Sequence, residues 1–151
     1  MIVEIRLASP TDAPAIRALT RSAYVKWVPV IGREPLPMQA DYQQAVRQHR
    51  FDLLYLDGGL AGLIETMQQP DHWWIENIAV APEHHGKGLG RKLLDYAECL
   101  AIEAGLKEMR LLTNQAFASN VALYQRVGYR IDRIAPFSGN GSMTVYMSKA
   151  L

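Results

Sequence analysis

The stretch "WWIENIAVAPEHHGKGLGRKLLDYAE", residues 73–98, predicts a strand, a glycine-rich turn and a helix in direct succession. The strand is largely apolar and ends near Val80, before Pro82. The helix begins near Lys87, and its apolar residues recur at helical spacing until Gly105 stops it. Each of the glycines in the turn disfavours a helix by roughly 1 kcal/mol relative to alanine. The pattern therefore predicts a turn whose glycines serve a function.

The turn has the properties of a binding site for an anion. A helix N-terminus presents unpaired backbone N–H groups and a partial positive charge. Glycine has no Cβ atom, so a phosphate can approach the main chain closely. The basic and imidazole side chains around the turn are His84, His85, Lys87, Arg91 and Lys92. We therefore expect the turn to bind a pyrophosphate.

Other phosphate-binding loops fit the turn less well. A P-loop needs Ser or Thr after Gly-Lys, whereas Gly86 and Lys87 are followed by Gly88. A dinucleotide fingerprint has the spacing G-x-G-x-x-G within a parallel βαβ unit, whereas the spacing here is G-x-G-x-G after antiparallel strands. The remaining alternative is a helix start that merely tolerates glycine.

The rest of the chain predicts an α/β fold with a mixed, mostly antiparallel central sheet flanked by helices. A strand ("IVEIRLA") and a helix ("SPTDAPAIRALTRSAY") come first, then a mostly irregular stretch at 25–38, and then a helix from Ala40 to His49. "FDLLYLDGGLAGLIETM" predicts a hairpin that turns at 57–59. After the glycine turn and its helix come a strand ("KEMRLLT"), a helix ("ASNVALYQRVG") and two strands around "SGNG". The predicted order is β-α-α-β-β-β-α-β-α-β-β.

Composition and charge narrow the class of protein. The 151 residues are 49% hydrophobic and 21% charged, and the formal net charge is +1. We therefore expect one domain over residues 1–151, with no nucleic-acid or membrane partner. The single cysteine excludes an internal disulfide framework, and the histidines lack metal-ligand spacing, so no metal site is expected. The N-terminus has no signal-peptide pattern, and we expect a cytoplasmic protein.

Two motifs carry a resemblance to a known family. "IAVAPEHHGKGLGRKLL" resembles the acetyl-CoA-binding motif Arg/Gln-x-x-Gly-x-Gly/Ala of GNAT N-acetyltransferases, with His85 at the Arg/Gln position and Gly88 and Gly90 as the glycines. "NVALYQRVGYR" resembles, in compact form, the family's second signature, Asn-x-x-Ala/Ser-x-x-Leu-Tyr-x-x-x-Gly-Phe/Tyr. The start "IRLASPTDAPAIRAL" is also similar to the family's first strand and helix, so the resemblance covers nearly the whole chain.

The resemblance implies an acetyl-CoA-dependent N-acetyltransferase and a set of cofactor contacts. Tyr124 would donate a proton to the CoA sulfur as the catalytic acid, and Asn120, on the same side of the helix, would contact the cofactor. The alternative is that Tyr124 packs in the core beside Leu123 and Val127. The other implied cofactor residues are Ile78, Ala79, Val80, His85, Lys87, Gly88, Leu89, Gly90, Arg91, Lys92, Thr113 and Asn114.

The catalytic base is expected to be Glu76, because its charge lies among apolar neighbours and partial burial would raise its pKa. The alternatives are a solvent-facing Glu76 and deprotonation through ordered water. The resemblance also implies a bulge near Ile78, whose main-chain N–H would meet the oxyanion. The same strand would separate from the strand that ends at Thr113 and leave a slot for the pantetheine arm.

The acceptor site is the part of the function that the sequence specifies least. The resemblance places one wall of that site between the first two helices, where the candidate residues are Tyr24, Trp27, Arg33, Met38 and Tyr42. Such a wall suits a small-molecule primary amine, and Arg33 would meet an anionic group on it. The alternatives are acetylation of a protein N-terminus or lysine, and a non-catalytic acyl-CoA-binding regulatory module. A homodimer formed through the two last strands is also consistent with the sequence.

Overall fold

The computed structural model of the protein describes residues 1–137 and 142–151. The turn predicted at "SGNG", residues 138–141, lies outside the described residues. The strands are β1 (Val3–Leu7), β2 (Arg50–Leu56), β3 (Gly59–Gln68), β4 (Trp73–Val80), β5 (Glu108–Asn114), β6 (Arg130–Pro136) and β7 (Met143–Ala150). The helices are α1 (Ala13–Tyr24), α2 (Val28–Ile31), α3 (Leu36–Gln39), α4 (Tyr42–Gln48), α5 (Leu89–Glu103) and α6 (Ala118–Arg126).

The strands form one seven-stranded sheet in the order β1-β2-β3-β4-β5-β7-β6. Every neighbouring pair is antiparallel except β4 and β5, which run parallel. The predicted α/β class and the mixed, mostly antiparallel sheet flanked by helices are confirmed. None of the helices in the described part of the chain is long and apolar enough to cross a bilayer.

The stretch 25–38 differs from the prediction of mostly irregular structure. It contains a 3-10 turn (Val25–Trp27) and the short helices α2 and α3. Proline stands within the first two positions of both helices, where its missing N–H breaks no helical hydrogen bond. Gly32, with φ +76°, ends α2 in the left-handed conformation. The prolines and the glycine therefore divide this stretch into short helices.

The sheet has a core on each face. One core lies beneath α5 and includes Leu54, Ile75, Leu93, Leu94 and Tyr124. The other lies beneath α1 and α4 and is made of Ala13, Ile16, Leu19, Ala23, Tyr24, Met38, Tyr42, Phe51, Leu53, Leu63, Ala79, Ala81 and Phe117. The central strands β2 and β3 are therefore buried on both faces.

The hairpin between β2 and β3 forms as predicted. Asp57 and Gly58 connect the strands with φ values of +51° and +86°. Two positive φ values in succession are typical of a type I′ turn, whose twist matches that of the strands. The residue types at positions 57 and 58 therefore determine the type of turn.

The pairing between β4 and β5 covers only part of either strand. The paired residues are Trp73 with Met109, Trp74 with Arg110, and Ile75 with Leu111. Beyond them β4 continues to pair with β3, and β5 with β7, so the two parallel strands diverge. The slot expected between these strands is therefore present.

A bulge in β4 lies at the point where the two strands separate. Glu65 pairs with Asn77 and Thr66 with Ile75, so Glu76 has no partner on β3. The extra residue reverses the alternation of side chains. Ile75 accordingly packs in the core beneath α5, whereas Ala79 packs in the core beneath α1. The bulge is two residues before Ile78, near which it was predicted.

Gly62 on β3 lies in close contact with α5 and with β4. A Cβ atom at Gly62 would lie 3.1 Å from Leu93 Cδ1 and 3.3 Å from the Ala79 carbonyl oxygen. We expect Gly62→Val to lower the free energy of unfolding by about 1–3 kcal/mol, because the added methyl groups overpack this contact. Urea denaturation of the variant measures the change.

Gly59 on the same strand provides the matched control. A Cβ atom there would meet only the Leu56 carbonyl oxygen, at 3.7 Å, and the residue is exposed. Gly59→Val should change the free energy of unfolding by no more than about 0.5 kcal/mol. Equal losses in the two variants would contradict the close approach at Gly62.

Candidate active site

A cleft of about 420 Å³ lies at the N-terminus of α5 and is called the glycine cleft. It is lined by Ala23, Tyr24, Lys26, Trp27, Ile78, Ala79, Val80, His84, His85, Gly86, Gly88, Leu89, Gly90, Arg91, Ser119, Asn120, Leu123 and Arg126. The end of β4, the glycine turn and the start of α6 therefore meet around one space.

Two glycines of the turn leave the backbone of this cleft accessible. Gly88 caps α5 with φ +75°, a conformation that other residues rarely adopt. Gly90 lies where a Cβ atom would come within 3.3 Å of Leu123 Cδ2. The first turn of the 15-residue helix α5 therefore lines the cleft, and the first N–H groups of a helix have no partner within the helix.

The glycine cleft carries positive charge. Its lining includes Lys26, Arg91 and Arg126, and none of the described residues that line it is Asp or Glu. The His85 Nε2 atom is 3.1 Å from the Val80 carbonyl oxygen, to which its N–H donates. A cationic cleft at a helix N-terminus is suited to a phosphorylated ligand.

A second space of about 340 Å³ lies on the other side of Tyr24 and is called the loop cavity. Its walls are Tyr24, Ile31, Arg33, Pro35, Leu36, Pro37, Ala40, Tyr42, Ala45, His49, Glu65, Glu76, Asn77, Leu112, Thr113, Asn114, Phe117, Phe137, Ser142 and Thr144. Most of these walls are apolar. The charged and imidazole groups are few, as in small-molecule sites that orient a ligand with a few polar contacts.

Tyr24 lines both the glycine cleft and the loop cavity. Its hydroxyl donates to Asn77 Oδ1 at 2.8 Å, which fixes the ring between the two spaces. Burial raises the pKa of Tyr24 well above its ordinary value, and the charges of Tyr124, Tyr42 and Glu65 raise it further. Tyr24 is therefore a neutral phenol at the junction.

A buried carboxylate and an imidazole form one wall of the loop cavity. His49 Nδ1 lies 2.6 Å from Glu65 Oε2. Glu65 is only 5% exposed. Burial raises the pKa of Glu65, and the hydrogen bond from His49 offsets part of that rise. The cavity therefore holds a hydrogen-bonded acid–base pair.

Glu76 differs from the expectation of partial burial. It lines the loop cavity, but its side chain is exposed, and Trp74 Nε1 donates to its Oε2 at 3.2 Å. Burial alternates along β4, and Glu76 takes the exposed position between the buried residues Ile75 and Asn77. The buried carboxylate of this site is Glu65, on the neighbouring strand.

Tyr124 is buried, with 5% exposure, and belongs to the core beneath α5. Its ring lies 5.9 Å from that of Tyr129, and burial raises the pKa of Tyr124. Tyr124 is not among the residues that line the glycine cleft or the loop cavity, although its neighbour Leu123 lines the glycine cleft. Burial keeps the phenol of Tyr124 protonated.

The other predicted site residues fall into three groups. Nine of the predicted cofactor residues line the glycine cleft: Ile78, Ala79, Val80, His85, Gly88, Leu89, Gly90, Arg91 and Asn120. Lys87 and Lys92 are exposed near the cleft without lining it, while Thr113 and Asn114 line the loop cavity. Their roles stay predictions.

The predicted acceptor wall divides between the two spaces and the core. Tyr24, Arg33 and Tyr42 line the loop cavity. Trp27 instead faces the glycine cleft, where its ring stacks on Phe117 at 4.8 Å. Met38 is 4% exposed and lies in the core, because α3 turns it inward.

Sequence reasoning missed three polar residues of the site: His49, Glu65 and Asn77. Glu65 stands in the apolar run "GLIETM" and meets the same criterion that selected Glu76. His49 lies 16 positions from Glu65, and nothing in the local pattern of either residue indicates the pair. The register of the sheet brings these residues together.

Comparison with known proteins identifies relatives of the chain. The family model described as "Acetyltransferase (GNAT) family" matches residues 14–129. YxbD from Bacillus subtilis (strain 168), an uncharacterized protein, is 32% identical over 84 residues, 56% of this chain and 52% of that protein. Streptothricin acetyltransferase from Streptomyces lavendulae is 36% identical over 75 residues, 48% of this chain and 40% of that protein. The matches thus span about half of these curated relatives or less.

Solved structures share the fold of the chain. PaiA N-acetyltransferase from Thermoplasma acidophilum, solved in complex with coenzyme A, superposes with a TM-score of 0.84. The superposition covers 100% of both chains at 19% sequence identity. At this identity the likeness shows the fold alone.

Glu65 should make stability depend on pH in a direction opposite to that of an exposed ion pair. Because its pKa in the folded protein lies above the ordinary 4.5, its contribution to stability is present below pH 4.5 and is lost as pH rises through the folded-state pKa. As pH rises from 4.5 through the folded-state pKa of Glu65, we expect the unfolding free energy of the wild type to fall relative to that of Glu65→Gln. Urea denaturation at a series of pH values measures the difference.

Asp71 offers the matched control, because its Oδ1 lies 2.7 Å from His72 Nδ1 at the surface. The hydrogen bond from His72 lowers the pKa of Asp71 below 3.8. The contribution of Asp71 to stability is therefore lost as pH falls below 3.8. The unfolding free energy of the wild type should then fall relative to that of Asp71→Asn as pH decreases, whereas for Glu65 it falls as pH increases. A pH-independent difference for Glu65→Gln would contradict the buried carboxylate.

Proposed function

Because the chain belongs to the acetyltransferase (GNAT) family, we propose that it transfers the acetyl group of acetyl-CoA to a primary amine of a small molecule. The observation that carries the proposal is that Tyr24 lines both a cationic cleft and a cavity containing carboxylates. A polyanionic donor and a cationic acceptor would meet there in one ternary complex. The acting unit is one domain over residues 1–151.

The glycine cleft fits acetyl-CoA. The backbone of Gly88 and Gly90 and the N-terminus of α5 would hold the pyrophosphate, with Arg91 adding charge. The gap between β4 and β5 beyond Ile75 would admit the pantetheine arm. Acetyl-CoA bound there supplies an acetyl thioester, which an amine attacks directly.

The proton donor to the departing sulfur is proposed to be Tyr124. Burial raises the pKa of its phenol, which keeps the proton available at neutral pH. The main-chain N–H near Ile78 is proposed to stabilise the oxyanion beside the bulge. Glu76, which lines the loop cavity, remains the base predicted from the sequence.

The loop cavity supports a small acceptor. Its volume of about 340 Å³ lies at the lower end of the range of small-molecule sites, and α2 and α3 close one side of it. Glu65 and Glu76 would attract an ammonium group, and Arg33 would meet an anionic group on the same molecule. The relative named streptothricin acetyltransferase supports a small molecule over a protein acceptor.

A cytoplasmic location and a homodimer complete the proposal. The two last strands, expected to pair between subunits, pair with each other within the chain. β7 also pairs with β5, so β6 is the one of the two at the edge of the sheet. A homodimer of the predicted kind would therefore form along β6.

Thermal unfolding with acetyl-CoA, CoA, NAD and ATP tests the donor. A ligand at 100 times its Kd stabilises a protein by about 2.7 kcal/mol, which raises the Tm by several degrees. We expect acetyl-CoA and CoA alone to raise the Tm. No increase with either would overturn the proposed donor.

Gly88→Glu should weaken acetyl-CoA binding at least about tenfold, because a carboxylate in the cleft opposes the pyrophosphate. Gly105→Glu is the matched control. Gly88 and Gly105 flank opposite ends of α5, with φ values of +75° and +80°, and a Cβ atom meets nothing within 4 Å at either. Both variants therefore bear the same backbone strain. Titration calorimetry showing equal affinity in the two would contradict the position of the pyrophosphate.

Tyr124→Phe should lower kcat at least about tenfold while the affinity for acetyl-CoA changes little, because the variant loses only the proton donor. Thiol release measures kcat. Tyr129→Phe is the control, since it removes the same atom from a neighbouring buried tyrosine, whose hydroxyl donates to Glu98 at 3.4 Å. Unchanged turnover in Tyr124→Phe would remove Tyr124 from the reaction.

A further inference from the structure

The pair formed by His49 and Glu65 has no role in the reaction as proposed so far. Resting on that proposed function, we propose that His49 is the base that removes the proton from the acceptor ammonium. Glu65 is then a positioning residue that holds the imidazole of His49. This assignment would replace Glu76 as the base.

The backbone and the side chain of His49 are both held. His49 follows α4, and its N–H donates to the Ala45 carbonyl oxygen at 2.8 Å. Its ring is anchored by Glu65, which comes from the middle of β3 and is buried. Because both the backbone and the ring of His49 form hydrogen bonds, the imidazole keeps a constant direction relative to the loop cavity that it lines.

The hydrogen bond selects one tautomer of the imidazole. A Glu65 carboxylate is an acceptor, so the short contact requires the proton on Nδ1 of His49. Nε2 is then left with its lone pair and can accept a proton. The carboxylate also stabilises the imidazolium that results, as in other carboxylate–histidine pairs.

The proton transfer balances in charge. The proton moves from the ammonium nitrogen to Nε2 of His49, which leaves a neutral amine with a free lone pair and an imidazolium paired with Glu65. The amine nitrogen then bonds to the acetyl carbon of acetyl-CoA as the carbon–sulfur bond breaks. The electron pair leaves on sulfur, which takes the proton of Tyr124. The acetylated nitrogen then loses its second proton to the Tyr124 oxygen, which gives a neutral amide and restores the phenol.

The pair lies next to the junction of the two spaces. Glu65 is directly opposite Asn77 in the pairing of β3 with β4. Asn77 accepts the hydrogen bond of Tyr24, the residue shared by the cleft and the cavity. The buried Asn77 Nδ2 has no acceptor among the residues that the structure describes.

The surrounding charges are compatible with this role. The titratable and charged groups that line the cavity around the pair are Tyr24 on α1, Arg33 between α2 and α3, Tyr42 on α4 and Glu76 on β4. Both tyrosines are neutral, since burial raises their pKa values. Glu76 is exposed and held by Trp74, so its charge attracts an ammonium without being buried.

Two probe amines separate a base from a merely structural residue. Benzylamine is protonated at neutral pH, aniline is not, and the ring of each suits the apolar walls of the loop cavity. We expect His49→Gln to lower kcat/KM for benzylamine by roughly 10²-fold at neutral pH and to change that for aniline little. The loss should shrink as pH rises, because more benzylamine is then unprotonated. Thiol release from acetyl-CoA measures the rates.

The controls use a second pair and a second carboxylate. His72→Gln removes the same type of pair, with Asp71 at 2.7 Å, outside both spaces, and should leave both rates unchanged. Glu65→Gln should follow His49→Gln in direction. The increase of Tm with acetyl-CoA checks that each variant is folded. Equal loss for both amines, or a loss for benzylamine in Glu76→Gln alone, would overturn the assignment.

The tautomer is measured independently of turnover. Nitrogen-15 NMR of the histidine side chains, in the CoA-bound protein, should show His49 protonated at Nδ1, with its signals assigned by their absence in His49→Gln. A proton on Nε2 would overturn the proposal. If the wild type acetylates benzylamine and His49→Gln does so equally, this inference fails and the proposed function stands. If the wild type acetylates neither amine, the small-amine function fails and the inference with it.

Discussion

The parallel pairing of β4 with β5 stops after Ile75 and Leu111, and the arrangement of the site depends on this separation. Each strand keeps its antiparallel partner on the other side, so the sheet stays continuous while a gap opens within it. A gap in a sheet exposes backbone groups that a ligand can pair with. The glycine cleft and the loop cavity meet at this gap, and Tyr24 lies between them.

The bulge at Glu76 is the second constraint, because it changes which side chains face each core. Ile75 packs beneath α5, while Asn77 faces Tyr24 and Ala79 packs beneath α1. A one-residue shift thereby places a polar residue where the strands separate. The result is two spaces of unlike charge: a cleft lined by cations and a cavity that holds carboxylates. This difference in charge fits a polyanionic donor and a cationic acceptor.

Much of the fold could be predicted from the sequence, because the signals involved are local. The hairpin at Asp57 and Gly58 follows from two adjacent residues that tolerate positive φ. The start of α5 at Leu89 follows from the glycine turn, and the order of strands follows from changes of hydrophobic period. The family resemblance rested on the same turn and on the motif around Tyr124. The stretch 25–38 was misjudged because proline was taken to exclude helix, although it is compatible with a first helical turn.

The amino-acid sequence by itself determined the mixed α/β fold and the glycine turn. It also determined the set of predicted cofactor residues, most of which line the glycine cleft. Only the tertiary structure decided that Glu65 is the buried carboxylate of the site, since both faces of β3 are covered, whereas Glu76 takes the exposed position between Ile75 and Asn77 on β4. It also decided that His49 meets Glu65 and that Met38 lies in the core. These outcomes depend on strand register and on contacts between distant segments. Local periodicity carries no information about either, because each contact is selected by the packing of the whole sheet.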